Sequence, residues 1–375
     1  MPARPGAHAG ARAAAAEVRR PWARGRRAEG LSVRFGLVGY GLWGRHHARA
    51  IAQAPGATLR AIACRSAETA ASARRDFPDA AVHLDYRALL ASGDVDVVDV
   101  VVPNDLHAEI GVAALEAGKD VLLEKPLAPT LAECDRLIAA ARRTGRLLSI
   151  GHELRLSRQW GALKTLIDAG DLGDVRSVVM TLFRFPYRPG AGGWRHEPTR
   201  IGSWPLEELV HHFDLLVWYL ARWGEPLAVS AVGHAPGGDV ALTETLACTL
   251  RFPGGRYALV TFTLGGFEYH VTAEVVGSEG AARTWWSGTL DRSRQAVFEL
   301  KVRRRGATAV EVVPVPASGE LFELEEELRQ TVTAFARRRP LVSAEEARKA
   351  VAVCLALERS LREGREVLLV VSGGA

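Results

Sequence analysis

Short apolar runs alternate with amphipathic stretches along residues 33–150. Apolar residues at helical spacing predict helices at about 106–117 and 131–144. Strands that alternate with helices pair in parallel, with helices on both faces of the sheet. The runs that predict strands are VRFGLV, ATLRAIA, VDVVDVVV, DVLLE and RLLSIG. The pattern therefore predicts an α/β domain with a doubly wound parallel sheet over residues 33–150.

The pattern changes after a helix predicted at about 161–169. From there, strand-like runs follow one another with only short turns between them, and in YHVTAEVVG apolar and polar residues alternate with a period of two. Such runs without intervening helices indicate an antiparallel sheet. Two helices follow, at about 321–338 and 344–363. We therefore expect an α+β domain over residues 151–375, with a large, open, mainly antiparallel sheet.

One of the predicted helices carries three titratable groups. The segment LEELVHHFDLLVWYLARW, residues 206–223, predicts a helix over 206–220 with one apolar face in the core. Glu207, His211 and Asp214 fall at i, i+4 and i+7 and therefore share another face. We interpret this face as the lining of a cleft; the alternative is a hydrogen-bonded core histidine with flanking surface acids. His212, about 100° round the helix, is interpreted as structural.

The distribution of charge argues against a nucleic-acid partner. The chain has a net charge of +5, and residues 1–30, with seven Arg and two Glu, carry all of it. The remainder is neutral, so it has no excess charge to neutralise phosphates. No apolar run is long enough to cross a bilayer, so we expect no membrane partner. The expected macromolecular partner is a second copy of the chain, in a homodimer or homotetramer that packs through the open sheet face.

The basic leader and the cysteines bear on the compartment. The leader lacks the apolar segment that a secretory signal needs. We interpret residues 1–32 as a disordered tail, with an Arg-rich transit peptide as the alternative. The four cysteines are widely spaced, without a C-x-x-C pair or a His at metal-ligand spacing. This usage is typical of reduced, buried thiols, so we expect a cytoplasmic protein without a metal site.

Glycines mark the turn after the first strand, in the pattern G-x-G-x-x-G at Gly39, Gly41 and Gly44. A helix carrying Ala48 and Ile51 and then a second strand complete a unit of about 30 residues. The first glycine permits a tight turn, the second lets the backbone approach a diphosphate, and the third lets helix and strand pack closely. The diphosphate then lies at the positive end of the helix. This context predicts a dinucleotide site.

The end of the second strand bears on the choice of dinucleotide. Proteins that prefer NAD usually have Asp or Glu there, bound to the adenosine ribose. Here Cys64 takes that place and Arg65 and Ser66 follow. A guanidinium beside a hydroxyl suits a 2′-phosphate, so we predict NADP, with NAD possible. The alternative is that Arg65 is an ordinary surface residue.

A lysine follows the predicted strand DVLLE, at the sheet edge where ligands bind in doubly wound folds. Pro126 restricts the backbone of Lys125, and Glu124 precedes it. Partial burial lowers the pKa of a lysine towards neutrality, which suits a proton donor or acceptor. We therefore predict a catalytic Lys125, against the alternative of a solvated surface charge.

Together these motifs resemble the superfamily of glucose-fructose oxidoreductase, inositol dehydrogenase and MocA (Gfo/Idh/MocA), over about residues 34–363. The segments that carry the resemblance are GYGLWG, VVPNDLH, EKP and the helix with acid-x-x-x-His-x-x-Asp. The resemblance implies an N-terminal Rossmann domain, a C-terminal α+β domain, and a site where Lys125 and His211 meet at the nicotinamide. Glu207 stands where the family usually has Asp, and Leu209 where it usually has Gly.

The motifs and the resemblance together give the expected site residues. The catalytic residues would be Lys125, His211 and Glu207. The cofactor-binding residues would be Gly39, Gly41, Leu42, Trp43, Gly44, Arg65, Ser66, Pro103, Asn104, His107, Glu124 and Lys125. The substrate-binding residues would be Lys125, Trp194, Arg195, Glu207, His211 and Asp214. Trp194 and Arg195 are included because their loop is rich in aromatic and Arg residues, which can stack on a sugar ring and bind its hydroxyls.

The implied function is an NAD(P)-dependent oxidoreductase that prefers NADP. It would move a hydride between nicotinamide C4 and a secondary alcohol or ketone of a sugar, sugar derivative or cyclitol. His211 or Lys125 would take the hydroxyl proton, while Glu207 and Asp214 orient the hydroxyl and the imidazole. Two alternatives stay open: sugar chemistry with a retained cofactor, such as redox-assisted glycoside cleavage, and a non-catalytic protein that senses NAD(P).

Overall fold

A computed structural model describes residues 32–369, and its first domain contains a six-stranded sheet. All strand pairs are parallel, in the order β3-β2-β1-β4-β5-β6, so the predicted doubly wound sheet is confirmed. The strands are β1 (Val33–Val38), β2 (Ala57–Ala63), β3 (Ala81–His83), β4 (Val97–Val100), β5 (Asp120–Glu124) and β6 (Leu148–Gly151). The helices are α1 (Leu42–Gln53), α2 (Ala67–Asp76), α3 (Tyr86–Leu90), α4 (His107–Glu116) and α5 (Leu131–Thr144).

The second domain contains a nine-stranded sheet in the order β14-β13-β12-β11-β7-β10-β9-β8-β15. Its pairs are antiparallel except for β7 and β10, so the prediction of a mainly antiparallel sheet is also confirmed. The strands are β7 (Val175–Phe183), β8 (Ala228–His234), β9 (Thr245–Arg251), β10 (Tyr257–Thr263), β11 (Tyr269–Gly277), β12 (Gly280–Gly288), β13 (Val297–Arg304), β14 (Glu311–Val313) and β15 (Val367–Leu368). The helices are α6 (Trp160–Asp168), α7 (Pro198–Ile201), α8 (Trp204–Leu220), α9 (Glu320–Ala336) and α10 (Ala344–Glu363).

Helix α8 differs from its prediction in two ways. It begins at Trp204, because Ser203 Oγ accepts a hydrogen bond from Leu206 N at 2.9 Å and Pro205 suits the first turn. The expectation of a single buried face was wrong, since every residue of α8 except Trp218 is buried. Helices α6 and α10 and strand β7 pack around it. The titratable residues of α8 therefore lie inside the protein.

Helix α9 returns from the second sheet to the first domain. Its residues Leu324, Leu328 and Phe335 join a core that includes Phe35 of β1 and Ile51 of α1. Burying these apolar side chains stabilises the contact between the domains. The same helix brings acidic side chains towards the end of β5.

Several findings concern compartment and chemistry. Among residues 32–369, no helix has the length and apolar character needed to cross a membrane. Within the same range, no group of three or more His, Cys, Asp or Glu is arranged to hold a metal ion. All four cysteines are buried and free. The predicted basic tail, residues 1–32, lies outside the described residues except for Ser32.

Candidate active site

The turn between β1 and α1 forms a cradle with room for a diphosphate. Gly39 has a φ of +102°, and a Cβ on it would lie 2.0 Å from Val101 O. A Cβ on Gly44 would lie 1.9 Å from Gly39 O, whereas one on Gly41 would meet no atom within 4 Å. In the described part of the chain, no side chain caps α1 and its first turn holds no acid. Its first N–H groups are therefore open to an anion, and the cradle fits a dinucleotide.

The two residues after Gly41 have different surroundings. The side chain of Leu42 is 62% exposed. Trp43 Nε1 donates to Glu124 Oε1 at 2.7 Å, so this side chain ties α1 to the end of β5. The backbone N–H groups of both residues lie in the first turn of α1, the helix end that favours anions.

The predicted adenosine end lies after β2. Cys64 is buried, while Arg65 and Ser66 are exposed. Ser66 caps α2, because its Oγ accepts from Thr69 N at 3.2 Å. Burial raises the pKa of the Cys64 thiol, and the charges of nearby arginines oppose the rise. The end of β2 is therefore surrounded by arginine side chains and has no carboxylate at the position of Cys64.

A buried histidine that the sequence analysis missed supports the end of β5. His47 Nδ1 lies 2.8 Å from Asp99 Oδ2, and its Nε2 lies 2.9 Å from Glu124 Oε1. Burial alone would lower the pKa of His47, but the two carboxylates outweigh it and hold the pKa well above its usual value. His47 is therefore a cation that fixes Glu124. The sequence signal that could have revealed His47 is Asp99, a charged residue inside an otherwise apolar strand.

Lys125 reaches from β5 to the first turn of α8. Its Nζ donates to Glu207 O at 2.9 Å and lies 3.9 Å from Glu207 Oε2. Burial would lower the pKa of Lys125, but four neighbouring carboxylates outweigh burial and raise it. They belong to Glu207, Glu124, Glu208 and Glu153. The expectation of a lowered pKa is therefore wrong, and Lys125 remains a cation.

The Glu207 carboxylate accepts hydrogen bonds from side chains of two other segments. Its Oε2 accepts from Asn104 Nδ2 at 3.1 Å, and its Oε1 accepts from Arg195 Nε at 3.3 Å. Asn104 Nδ2 also donates to Ile201 O at 2.8 Å. Asn104, Lys125, Arg195 and Glu207, all predicted site residues, therefore come together at one place between the domains.

Pro103 and His107 flank the short 3-10 turn Asn104–Leu106 after β4. His107 Nδ1 lies 2.7 Å from Pro126 O, and its Nε2 lies 3.0 Å from Val102 O. Burial lowers the pKa of His107. The neutral ring donates to only one of these carbonyl oxygens, and it packs between the end of β4 and the EKP segment. The role of His107 as a cofactor-binding residue stays a prediction.

His211 lies one turn after Glu207, in a group of buried polar side chains. Its Nδ1 is 3.7 Å from Glu153 Oε2, and its ring centroid is 6.0 Å from that of His152. Burial lowers the pKa of His211 well below its usual value, and the charge of Lys125 lowers it further. His211 is therefore neutral near neutral pH, with one ring nitrogen free to accept a proton. The sequence analysis missed His152 and Glu153, although both follow β6 at the ligand-binding edge of the sheet.

Asp214 does not line the cleft as predicted. Arg155 Nε donates to Asp214 Oδ2 and Arg155 Nη2 to Asp214 Oδ1, each at 2.7 Å. Arg155 Nη1 also donates to Glu346 Oε1 of α10 at 2.9 Å. This bidentate pair fixes both oxygens of Asp214, and the residue is only 1% exposed, so we interpret Asp214 as a structural partner of Arg155. Glu207 and Asp214 do lie seven residues apart on one helix. Arg155, the partner of Asp214, is 59 residues away in sequence, so the spacing could not reveal it.

A third carboxylate on α8, Glu208, was missed by the sequence analysis. Tyr187 and Tyr269 donate their hydroxyls to Glu208, at 3.0 Å and 2.7 Å, and Arg184 Nη1 pairs with the same carboxylate. Burial raises the pKa of Glu208, but Arg184 and its other partners lower it overall. Glu208 is therefore an ionised anchor that joins α8 to the second sheet.

The loop before α7 contributes one direct contact. The Arg195 guanidinium lies 4.7 Å from the centroid of the Trp194 ring, and Arg195 O accepts from Trp204 Nε1 at 2.8 Å. Trp194 is partly buried against the core. Of the two predicted substrate residues in this loop, Arg195 contacts Glu207, and Trp194 packs against Arg195.

Known proteins resemble both domains. Residues 33–152 match the GFO_IDH_MocA oxidoreductase family with an NAD-binding Rossmann fold, and residues 160–283 match the GFO/IDH/MocA C-terminal domain. Levoglucosan dehydrogenase of Pseudarthrobacter phenanthrenivorans is 28% identical over 324 residues, which cover 77% of this chain and 82% of that protein. Inositol 2-dehydrogenase of Salmonella typhimurium is 32% identical over 264 residues, with coverages of 67% and 74%.

A solved structure agrees with the fold. A levoglucosan dehydrogenase in complex with NADH and levoglucosan superposes with a TM-score of 0.78 at 24% identity, and covers 90% of this chain and 100% of that chain. At this identity the superposition establishes the shared architecture. The family matches over both domains, and the coverage of the inositol dehydrogenase, establish membership. The chain belongs to the Gfo/Idh/MocA family of oxidoreductases with an NAD-binding Rossmann domain.

Proposed function

We propose that the protein transfers a hydride between C4 of a nicotinamide, preferably that of NADP, and a secondary alcohol or ketone carbon of a sugar, sugar derivative or cyclitol. The observation that carries the proposal is the contact of Lys125 Nζ with Glu207 O, 2.9 Å across the two domains, with His211 one turn further along α8. A cation, a carboxylate and a neutral imidazole together suit a carbinol that must lose a proton. The levoglucosan and inositol dehydrogenases support the substrate class.

Each side chain of the site has a distinct proposed role. Lys125, held as a cation, donates a hydrogen bond to the reacting oxygen and stabilises negative charge that develops there. Glu207, positioned by Asn104 and Arg195, binds a neighbouring hydroxyl. Neutral His211 takes the hydroxyl proton during oxidation and returns it during reduction. The choice between Lys125 and His211 as proton acceptor is therefore made in favour of His211.

The preference for NADP rests on the end of β2. Cys64 cannot bind the ribose diol as a carboxylate does. Because no carboxylate stands there, a 2′-phosphate is not repelled. Arg65 is exposed beside Ser66, where a guanidinium and a hydroxyl can both donate to that phosphate. The charges of Arg45 and Arg74 near Cys64 add to the attraction of an anion. These features support NADP over NAD.

Assembly and location are proposed on separate grounds. One face of the nine-stranded sheet exposes large apolar side chains, among them Val232, Phe183, Tyr257 and Val297. We propose a homodimer or homotetramer that buries this face, which light scattering would test. The four free, buried thiols support a cytoplasmic location.

A panel assay tests the proposed reaction. The protein is incubated with NADP+ and a set of sugars and cyclitols, and the absorbance of reduced nicotinamide is followed. Net reduction supports the dehydrogenase. Product without net reduction would identify retained-cofactor chemistry, and cofactor binding without product would identify a sensor. His211→Asn serves as the matched control against a contaminating dehydrogenase, because its signal should be lost.

A further inference from the structure

Three buried side chains at the floor of the site have polar atoms without a hydrogen bond among residues 32–369. The atoms without a partner are the two ring nitrogens of His152, Oε2 of Glu153 and Nδ1 of His211. Buried polar atoms almost always have a partner, so a group of such atoms marks a network that a small movement, a proton or a water completes. Glu153 lies just after β6 and His211 lies on α8, and the two side chains face each other.

The geometry of the pair restricts what it can do. Glu153 Oε2 lies 3.7 Å from His211 Nδ1, about 0.8 Å beyond a typical hydrogen bond, so a small side-chain rotation closes the gap. Glu153 lies in the turn after β6, as Lys125 follows β5, and both reach α8 from the same sheet edge. Because Nδ1 faces Glu153, Nε2 on the far side of the ring is the nitrogen available to a substrate oxygen.

The surroundings determine where the proton resides. Burial raises the pKa of Glu153 well above its usual value, neighbouring carboxylates raise it further, and the cation that follows β5 opposes them. The charged groups that face Glu153 are Glu124 and Lys125 from the end of β5 and Glu327 and Glu320 from α9. Burial is the main cause that lowers the pKa of His211. Four basic groups lower it further, namely Lys125, His152, His212 and Arg184. These opposite directions favour the proton of the pair on Glu153 rather than on His211.

We propose that Glu153 is a positioning residue that sets the tautomer of His211 and relays its proton. This inference rests on the proposed function. Protonated Glu153 donates to His211 Nδ1, which leaves the hydrogen on Nε2 and prepares the site for reduction. Ionised Glu153 accepts from Nδ1–H, which leaves the lone pair on Nε2 and prepares the site for oxidation.

The proton steps balance in both directions. In reduction, a hydride adds to the carbonyl carbon, the forming alkoxide takes the Nε2 proton of His211, and Nδ1 takes the Glu153 proton. The products are the alcohol, a neutral His211 with hydrogen on Nδ1, and a Glu153 carboxylate that solvent protonates again. In oxidation every transfer is reversed, and Glu153 finally releases the proton to solvent.

Histidine NMR tests the tautomer without any turnover. In protein with nitrogen-labelled histidine, the signal missing from His211→Asn identifies His211. We expect hydrogen on Nε2 at about neutral pH and a change to Nδ1 as Glu153 ionises. Glu153→Gln should keep the Nε2 form at every pH, because its amide donates the same hydrogen bond. A change of tautomer with pH in Glu153→Gln that matches wild type would overturn the proposal.

Kinetics in both directions provide the second test. In wild type, kcat for oxidation should rise with pH and kcat for reduction should fall with pH, about one shared midpoint. Glu153→Gln should remove both dependences and lower kcat about 100-fold, the lower end of the effect of a positioned acid or base, with KM changed less than about twofold. Glu153→Leu should behave likewise, which guards against an effect specific to the amide.

Glu323→Gln is the matched control. Burial raises the pKa of Glu323 to about 7, but its Oε1 accepts from Ser318 Oγ at 3.1 Å and Gly319 N at 3.0 Å. This variant should keep both pH dependences. If wild type turns over no sugar, the proposed function fails, and the NMR result still decides the role of Glu153. If wild type turns over and Glu153→Gln keeps its pH profiles, the proposal for Glu153 fails alone.

Discussion

Lys125 and Glu207 meet across the boundary between the two domains, where the Lys125 ammonium donates to Glu207 O at 2.9 Å and lies 3.9 Å from the Glu207 carboxylate. On the other side, Glu124 Oε2 accepts from Lys125 N at 3.0 Å, and Glu124 Oε1 lies 2.9 Å from His47 Nε2. Buried charges of opposite sign thus hold the end of β5 against α8. The cation is fixed before any substrate enters, so little reorganisation is needed during the reaction.

Gly41→Val should weaken cofactor binding while leaving the fold intact. The space next to Gly41 is open in the structure, so a side chain there would fill the diphosphate cradle without displacing protein atoms. The loss of charge-assisted hydrogen bonds worth about 1.5 to 3 kcal/mol each predicts an NADPH dissociation constant about 100-fold higher. Fluorescence titration gives the constant, and Tm should stay near that of wild type.

Gly44→Ala gives the opposite result and serves as the control. Its Cβ would lie 1.9 Å from Gly39 O, so strand and helix must separate. Alanine usually stabilises a helix by about 0.5 to 1 kcal/mol relative to glycine, whereas here Tm should fall. An unchanged Tm in Gly44→Ala, or unchanged affinity in Gly41→Val, would contradict the assigned roles.

Cofactor preference should change when the charge at the end of β2 changes. Cys64→Asp combined with Arg65→Gln introduces a carboxylate for the ribose diol and removes the guanidinium. Two contacts of about 1.5 to 3 kcal/mol each are involved, so the NADPH to NADH affinity ratio should fall at least about tenfold. Dissociation constants for both cofactors check the prediction, and a wild type that already prefers NADH would show that Arg65 has another role.

Stability should depend on the pH through Glu327. Burial raises the pKa of this carboxyl well above its usual value, and Glu124 raises it further. The folded protein then binds the proton more tightly than the unfolded chain, so stability falls as pH rises above about 4.5 until the folded pKa is passed. Glu327→Gln should therefore raise Tm at about pH 8, by about 2 °C for each kcal/mol, and should have little effect near pH 4.

Glu326 on the same helix provides a control of opposite sign. Burial raises its pKa, but Arg329 and Gln330 outweigh burial and lower it overall. The resulting stability is present above the ordinary pKa and is lost as pH falls. Glu326→Gln should therefore lower Tm at about pH 8. Equal shifts in both variants would indicate a general effect of charge removal.

Asp214→Asn should affect stability more than substrate binding. It breaks the bidentate pair with buried Arg155, at a cost of about 3 kcal/mol, while Glu346 still contacts the guanidinium. Chemical denaturation should reveal this loss. At a temperature where the variant is folded, KM for the sugar should change less than about threefold. A large rise in KM with unchanged stability would contradict this prediction and indicate that Asp214 binds the substrate.

Periodicity predicted long elements well and short ones poorly. The bounds of α5, α10 and β11 are those expected, because each has a sustained helical or alternating pattern. Helix α2 was missed because only Ala70 and Ala73 of its ten residues are buried, and alanine gives little contrast. Strand β14 has three residues at the sheet edge and no alternation. The parallel pairing of β7 with β10 joins segments far apart in sequence, which local patterns do not record.

The site shows the same limit. The spacing on one helix predicted that Glu207 and His211 share a face of α8, and their catalytic roles stay predictions. It did not distinguish Asp214, whose role depends on Arg155 from another segment. The pKa of Lys125 was predicted in the wrong direction, because burial can be inferred from a strand end but the four surrounding carboxylates cannot. Charge clusters built from segments that are distant in sequence appear only in three dimensions.

Turnover by Lys125→Met, His211→Asn and the double variant tests the central claim most directly. Lys125→Met removes a donor to the reacting oxygen and should lower kcat by about 100- to 1000-fold. His211→Asn removes the proton acceptor and should lower kcat by about 100- to 10,000-fold, with NADPH affinity little changed because His211 lies in the second domain. Because the two groups act as a unit, the double variant should be scarcely slower than the slower single one. Near-wild-type turnover in His211→Asn would contradict the account and make His211 a structural residue.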